Sequence, residues 1–411
     1  MFFESYSQEQ PQHVEALMAE TLASVRKLLG MEVAFVSEFS EGRRIFRFID
    51  ATQDFHPIEV NGSDPLGDSY CQRVVDGRLP ELIQDATKNA EALTLPATLG
   101  VPIGAHLSVP IRFSSGRVFG TFCCFSRQGD ATLGERDLGA MKLFANFIGN
   151  VLEERDNALQ EKRITTQRLR DTLDAHRFTS EFQPIFDIDS GKAVGFEALS
   201  RFPSEPRRGP DVWVADATSV GLEEELEGAL LENALTQLHD IPDDAYLSLN
   251  VTPATILSGK VGTLLQGHPL ERIVLEITEH QSIGDYEKID AALASLREQG
   301  LRLAVDDAGA GYASFRHILK LKPDIIKLDI SLIKNIDTDI ACKTLAAALV
   351  GFAKATGSQV IAEGVESGAE LKTLRELGIN RVQGFLLGRP KALDEYCGRL
   401  PAMATTDAVG D

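Results

Sequence analysis

The chain has 411 residues and a formal net charge of −20, from 41 Lys and Arg against 61 Asp and Glu. With 43% hydrophobic and 25% charged residues it has the balance of a globular protein, not of a disordered or collagen-like one. So acidic a chain is a poor general nucleic-acid binder, and no run approaches the roughly 18 consecutive apolar residues of a membrane span.

Val14 to Leu29 carries apolar residues at helical spacing (Val14, Leu17, Met18, Leu22, Val25, Leu28, Leu29) and predicts an opening helix. Val33–Val36 and Arg44–Ile49 read as strands around Ser40-Glu41-Gly42. Ala105–Phe113 and Val118–Phe125 read as an antiparallel pair joined at Ser114-Ser115-Gly116. A helix resumes near Leu133, with Met141, Phe144, Ala145, Ile148 and Leu152 along one stripe. Residues 13–153 are therefore expected to form a small α/β domain with an antiparallel sheet. From 154 to 177 the composition turns to Glu, Arg, Gln, Asp and Thr, uninterrupted by Gly or Pro. Leu159, Ile164, Leu169 and Leu173 are too irregular for a coiled coil, and a helical linker between domains is expected.

From 178 to 400 strand-like and helix-like segments alternate. Apolar strands fall at Ala245–Val251, Arg272–Ile277, Arg302–Val305, Ile325–Leu328 and Gln359–Ala362. Helical stretches fall at Leu222–Leu238, Ile289–Glu298, Cys342–Thr356 and Ala369–Leu377. Such alternation predicts a parallel sheet, and the length suits a (β/α)8-type barrel. The five cysteines, Cys71, Cys123, Cys124, Cys342 and Cys397, form no C-x-x-C pair and fit a reducing cytoplasm. The N-terminus shows no basic region followed by an apolar run.

Acidic residues recur at the ends of the barrel strands. Glu197 follows Ala193-Val194-Gly195-Phe196, Asn250 follows Leu247-Ser248-Leu249, and Glu276 follows Ile273-Val274-Leu275. Asp306 and Asp307 close Leu303-Ala304-Val305, Lys327 lies in Ile325-Ile326-Lys327-Leu328, and Glu363 follows Val360-Ile361-Ala362. A single strand-end acid is most often solvated or a helix cap. A series of them on one barrel converges at the face where active sites are built. Five carboxylates, one amide oxygen and one lysine in one pocket require cations among them. Oxygen-only ligands select hard cations such as Mg²⁺, Mn²⁺ or Ca²⁺ over zinc or copper. Two such ions about 3.5–4 Å apart, bridged by a carboxylate, are the usual device for cleaving a phosphodiester.

Glu197-Ala198-Leu199-Ser200-Arg201 resembles the signature of the EAL-domain family, phosphodiesterases that hydrolyse cyclic di-GMP. The family's other motifs follow in order across about residues 178–398. They are Phe182-Gln183-Pro184-Ile185, Leu249-Asn250-Val251-Thr252-Pro253, Leu275-Glu276-Ile277-Thr278-Glu279, Val305-Asp306-Asp307-Ala308-Gly309, Ile326-Lys327-Leu328-Asp329, Ala362-Glu363-Gly364-Val365-Glu366 and Gln383-Gly384-Phe385. The resemblance implies two Mg²⁺ or Mn²⁺ ions held by Glu197, Asn250, Glu276, Asp306, Asp307 and Glu363, with Asp306 bridging. It implies that Lys327 holds the attacking water, that Glu363 helps to deprotonate it, and that Glu279 fixes the loop after Asp307. Gln183, Leu199 and Arg201 correspond to substrate contacts, and the product would be linear 5′-pGpG. Ala308 stands where the family usually has Phe, and Ala310 where it often has Thr, in the loop that links the metal site to a dimer contact. Degenerate members bind cyclic di-GMP as receptors and have lost metal ligands or the lysine; none is lost here.

Residues 13–153 resemble a GAF domain, a small α/β sensor. The pieces that carry this are Asp68-Ser69-Tyr70-Cys71, Ile83-Gln84-Asp85-Ala86, Ser108-Val109-Pro110-Ile111 and Gly120-Thr121-Phe122-Cys123-Cys124. The fold leaves the ligand open. Cys71 as a bilin attachment point, Cys123 with Cys124 as a redox pair and His106 as a haem ligand are outweighed by the reading of buried core residues. Together the resemblances imply a cytoplasmic homodimeric enzyme whose first domain tunes the second, with no nucleic-acid or membrane partner.

Overall fold

The computed structural model describes residues 4–204, 207–278, 283–309 and 313–396. The chain divides into two compact units, 1–161 and 162–411. The division falls within one helix, Glu135–Asp174, which runs unbroken for 40 residues.

The first unit is built on a six-stranded sheet in the order β3-β2-β1-β6-β5-β4, all neighbours antiparallel. Its strands are β1 (Val33–Ser40), β2 (Arg43–Ala51), β3 (Ser63–Pro65), β4 (Leu82–Ile83), β5 (His106–Arg112) and β6 (Val118–Phe125). Successive side chains of a strand point to opposite faces. Cys124 therefore joins Met18, Leu22, Met141 and Ile148 from the helices Glu4–Leu28 and Glu135–Asp174 on one face. Cys123 joins Phe35, Phe46, Tyr70 and Cys71 on the other.

The second unit is a closed eight-stranded barrel of β7 (Thr179–Asp187), β8 (Ala193–Arg201), β9 (Tyr246–Asn250), β10 (Ile273–Thr278), β11 (Arg302–Ala308), β12 (Ile325–Leu328), β13 (Gln359–Ala362) and β14 (Arg381–Val382). From β8 round to β14 the neighbours are parallel. The all-parallel expectation departs at β7, which lies antiparallel between β14 and β8. The reason is local: β7 and β8 are joined by a tight turn in which the Gly191 amide donates to the Asp187 carbonyl at 2.8 Å and Gly191 takes φ 66°. A parallel connection needs a crossover of a dozen residues or more, and here there is none.

Inside the barrel an apolar floor is laid by Ile185, Tyr246, Val274, Ala304, Ile325 and Ile361. Two residues further along each parallel strand the same inward face carries Ser248, Glu276, Asp306, Lys327 and Glu363. Gln183 joins this layer from two residues before Ile185, because its strand runs the other way. Among the described residues no helix is long and apolar enough to cross a membrane.

Candidate active site

Lys327 is 0% exposed, at the centre of the upper layer. Its Nζ lies 2.6 Å from Glu363, 2.7 Å from Glu276 and 3.3 Å from both Glu197 and Asp306. Glu197 also accepts from Gln383 Nε2 at 2.7 Å and from Asn250 Nδ2 at 3.2 Å. Glu276 accepts from the Ser248 hydroxyl, two residues before Asn250 on β9.

Asp306 and Asp307 are adjacent in sequence, and a regular strand would send them to opposite faces. The register of β11 against β12 slips between Val305 and Ala308, and Asp307 takes φ 57°, a left-handed conformation costly for a residue with a Cβ. That irregularity turns both carboxylates toward Glu363. Oxygens of Asp306, Asp307 and Glu363 lie within 4.8 Å of one another, as do oxygens of Glu197, Glu276 and Asp306. Asp306 belongs to both groups.

One ammonium against this many carboxylates leaves the cluster short of positive charge. Burial, with the charges of Glu197 and Asp306 beside it, pushes the Glu276 carboxyl up to about 8 against the pull of Lys327. Glu363 is driven well up, by burial first and then by Asp306. Burial acts on Glu197 in the same sense, but Lys327 and the donors Gln383 and Asn250 bring it below the ordinary carboxylate value. Lys327 is held well above its usual value, because the four carboxylates outweigh the cost of burying its charge. A buried all-oxygen set with surplus negative charge fits hard divalent cations. Glu197, Glu276, Asp306, Asp307 and Glu363 could hold them, with the Asn250 carbonyl oxygen left for a ligand while its amide holds Glu197.

Leu199, Arg201 and Asn250 line one cavity of about 410 Å³ together with Thr252 and Thr278. The Arg201 guanidinium is about one-third exposed and donates to Glu181 at 2.7 Å. Gln183 is buried instead: its amide donates to the Gly388 carbonyl and its oxygen accepts from Gln383, each at 3.0 Å. Glu279 and Ala310 lie outside the described residues. Ala308 is fully packed and pairs with Leu328 across the β11–β12 ladder.

Three supporting groups escaped the reading of candidate residues. Gln383 bridges Gln183 and Glu197, and its own Oε1 is buried without a partner. The following glycine lets its chain pass over Val365, where a Cβ on Gly384 would lie 2.2 Å from backbone atoms. Ser248 orients Glu276. Glu227 braces the turn after Asn250 by accepting from the amide and hydroxyl of Thr252 and the hydroxyl of Thr255. Signals existed for the first two: Gln383 opens a family motif, and Ser248 shares a strand face with Asn250.

The family model for the EAL domain matches residues 166–390. The chain belongs to that family. The model for the GAF domain matches residues 13–152 ahead of it. Among curated relatives, the probable cyclic di-GMP phosphodiesterase PdeD of Escherichia coli is 29% identical over 235 residues, 54% of this chain and 43% of the relative. The cyclic di-GMP phosphodiesterase NbdA of Pseudomonas aeruginosa is 30% identical over 266 residues, 61% of this chain and 33% of the relative. The chain thus spans less than half the length of these relatives. Among solved structures, the PaMucR phosphodiesterase in complex with c-di-GMP aligns with TM-score 0.51 and 27% identity, over 56% of this chain and 98% of that one. An EAL-domain protein of Listeria monocytogenes aligns with TM-score 0.51 and 25% identity, over 55% and 93%.

The GAF domain has its own cavity, of about 680 Å³, walled by Phe35, Phe46, Tyr70 and Phe125 and by the buried side chains of Arg44 and His106. His106 packs against Tyr70 with ring centroids 4.5 Å apart, and its Nδ1 has no partner. Burial, with the Arg44 charge nearby, takes its imidazole down to about 3, so it is neutral.

Proposed function

We propose that the EAL domain hydrolyses cyclic di-GMP to linear 5′-pGpG with two hard divalent cations, Mg²⁺ or Mn²⁺, and that the GAF domain tunes this activity in a homodimer. The observation that carries the reading is the full carboxylate ring around a completely buried Lys327, on the barrel face where active sites are built. The named activities of PdeD and NbdA and the c-di-GMP held by PaMucR support the substrate.

Glu197, Asn250, Glu276, Asp306, Asp307 and Glu363 would hold the cations, with Asp306 shared. When bound, the cations polarise the phosphate and neutralise the charge that develops on it. Lys327, with its three donor hydrogens, orients the attacking water and the scissile phosphate. Glu363, in contact with Lys327, accepts the water's proton. Gln383 and Ser248 hold Glu197 and Glu276 in orientation. Leu199 and Arg201 border the nucleotide, the guanidinium facing a phosphate. Gln183 supports the site through Gln383. Glu279 steadies the loop after Asp307.

The test is turnover of cyclic di-GMP by the full chain with Mg²⁺ or Mn²⁺, followed by chromatography, beside a Ca²⁺ sample and the Glu197→Ala variant. The reading requires pGpG from the native chain and none from the variant. Tight binding of nucleotide that is recovered intact under every metal condition would instead make the protein a cyclic di-GMP receptor.

A further inference from the structure

In the GAF domain, two cysteines 52 residues apart in sequence meet inside the fold. Cys71, on the helix Tyr70–Val75, and Cys123, on β6, hold their sulfurs 3.5 Å apart, and both residues are completely buried. Their surroundings are polar in an otherwise apolar core. Arg44 Nη1 donates to Cys71 Sγ at 3.1 Å. The Ser108 hydroxyl lies 3.1 Å from Cys123 Sγ, and Thr121 Oγ1 lies 3.2 Å from it.

We propose that Cys71 and Cys123 form a reversible oxidation site, in which hydrogen peroxide converts the thiol pair to a disulfide with Cys71 as the attacking sulfur.

The environment distinguishes the two roles. Burial alone raises the Cys71 thiol, but a hydrogen bond from Cys123, the Arg44 charge and Thr121 together bring it down to about 5. Cys123 is driven up by burial and by its neighbour, and keeps its proton. A thiolate next to a protonated thiol is the pairing that thiol oxidation needs. Neither sulfur lines the 680 Å³ cavity, but Arg44 both touches Cys71 and lines it, and on this proposal peroxide reaches the thiolate when that side chain swings aside. The Cys71 thiolate attacks one peroxide oxygen, the O–O bond breaks, and the departing hydroxide takes a proton to become water. Cys71 is then a sulfenic acid. The Cys123 thiol attacks that sulfur, an S–S bond forms, and the sulfenic oxygen leaves as a second water carrying the thiol proton. One peroxide is reduced and two thiols are oxidised; an external dithiol reverses the change.

The neighbouring Cys124 is the internal control. It faces the opposite side of the sheet, its sulfur 3.8 Å from Met141 Sδ, and burial raises its thiol. Oxidation also removes the negative partner of Arg44 and leaves the guanidinium with Asp64 alone at the cavity wall.

The experiment treats the reduced full chain with hydrogen peroxide, then unfolds it in denaturant with N-ethylmaleimide to block every remaining thiol, and maps cross-links by mass spectrometry. Fragment ions separate Cys123 from Cys124 in the native chain, so the assignment does not depend on a variant that folds. The expected product is a Cys71–Cys123 disulfide, reversed by dithiothreitol and retained in Cys124→Ser. In Arg44→Lys, which keeps the charge but loses the guanidinium fork, Cys71 should oxidise about tenfold more slowly. A disulfide to Cys124, oxidation confined to Cys342, or complete alkylation of Cys71 after peroxide treatment would each overturn the proposal.

Discussion

Among the described residues each domain buries one cationic side chain, Arg44 or Lys327, and the two are balanced in opposite ways. Arg44 in the GAF domain meets one carboxylate, Asp64, and one low-lying thiol, Cys71, so its charge is matched within the fold. Lys327 in the EAL domain meets four carboxylates within 3.3 Å and is outnumbered. A matched buried charge is part of the fold's own framework. An unmatched one leaves a deficit that protons on the carboxylates or bound cations must relieve. The contrast separates a region whose acidic cluster could hold metal ions from one whose buried charges are matched in place.

The sharpest way to break that contrast is to change the EAL site's charge balance. Chelation with EDTA should abolish turnover of cyclic di-GMP and lower the barrel's melting temperature. Restoring Mg²⁺ or Mn²⁺ at a hundredfold excess over its dissociation constant should return about 2.7 kcal/mol of stability. A melting temperature indifferent to divalent ions would mean that the carboxylates are neutralised within the protein. Lys327→Met should cost about a thousandfold in turnover, equal to about 4 kcal/mol of barrier. A variant with near-native turnover would remove the lysine from the chemistry.

Part of the barrel site was legible because it obeys a simple period: Glu276, Asp306, Lys327 and Glu363 stand two residues beyond Val274, Ala304, Ile325 and Ile361 of the apolar floor. Position in sequence thus carried position in space. Gln183 fell outside that rule because β7 is reversed, and the reversal is decided by a short turn whose consequence appears only when the barrel closes. Ser248 and Gln383 were missed for another reason. A motif and a strand face marked their positions, but their work is done on the oxygens of Glu276 and Glu197, 28 and 186 residues away, and sequence spacing does not show which oxygen each one meets. In the GAF domain the strands β1, β2, β5 and β6 were readable as strand-like runs on either side of the turns at Ser40-Glu41-Gly42 and Ser114-Ser115-Gly116. Reading Cys123 and Cys124 against each other was the natural comparison in sequence, yet the strand sends them to opposite faces and brings Cys71 to Cys123 instead.

The GAF side of the comparison is sharpened by pH. Beside Arg44, His106 is neutral in the folded domain, with its titration at about 3 against roughly 6.5 for an unfolded chain. Between those values the unfolded chain binds a proton that the native domain refuses, so stability is lost as pH falls. From pH 7 to pH 5 the loss should be about 2 kcal/mol. Calorimetry of the full chain and of His106→Gln at both pH values checks this: the variant should lose that part of the slope. An unchanged slope would assign the pH sensitivity to other groups.

The smallest expected effect probes how finely the EAL carboxylates are aimed. The Ser248 hydroxyl donates to one oxygen of Glu276, and Lys327 lies 2.7 Å from the other. Ser248→Ala removes one hydroxyl and leaves the backbone of β9 unchanged. Glu276 keeps its charge and its lysine but loses the donor that fixes its rotation. Partners of this kind, one step removed from a metal, typically matter by 10- to 100-fold, roughly, in affinity or activity. With Lys327 still holding Glu276, the low end applies: about tenfold weaker activation by Mn²⁺, or about 1.4 kcal/mol, with turnover at saturating metal nearly restored. A drop in turnover that no amount of Mn²⁺ repairs would mean that Ser248 acts on the reacting groups and not through Glu276. An unchanged activation midpoint would mean that Lys327 alone is enough to aim the carboxylate.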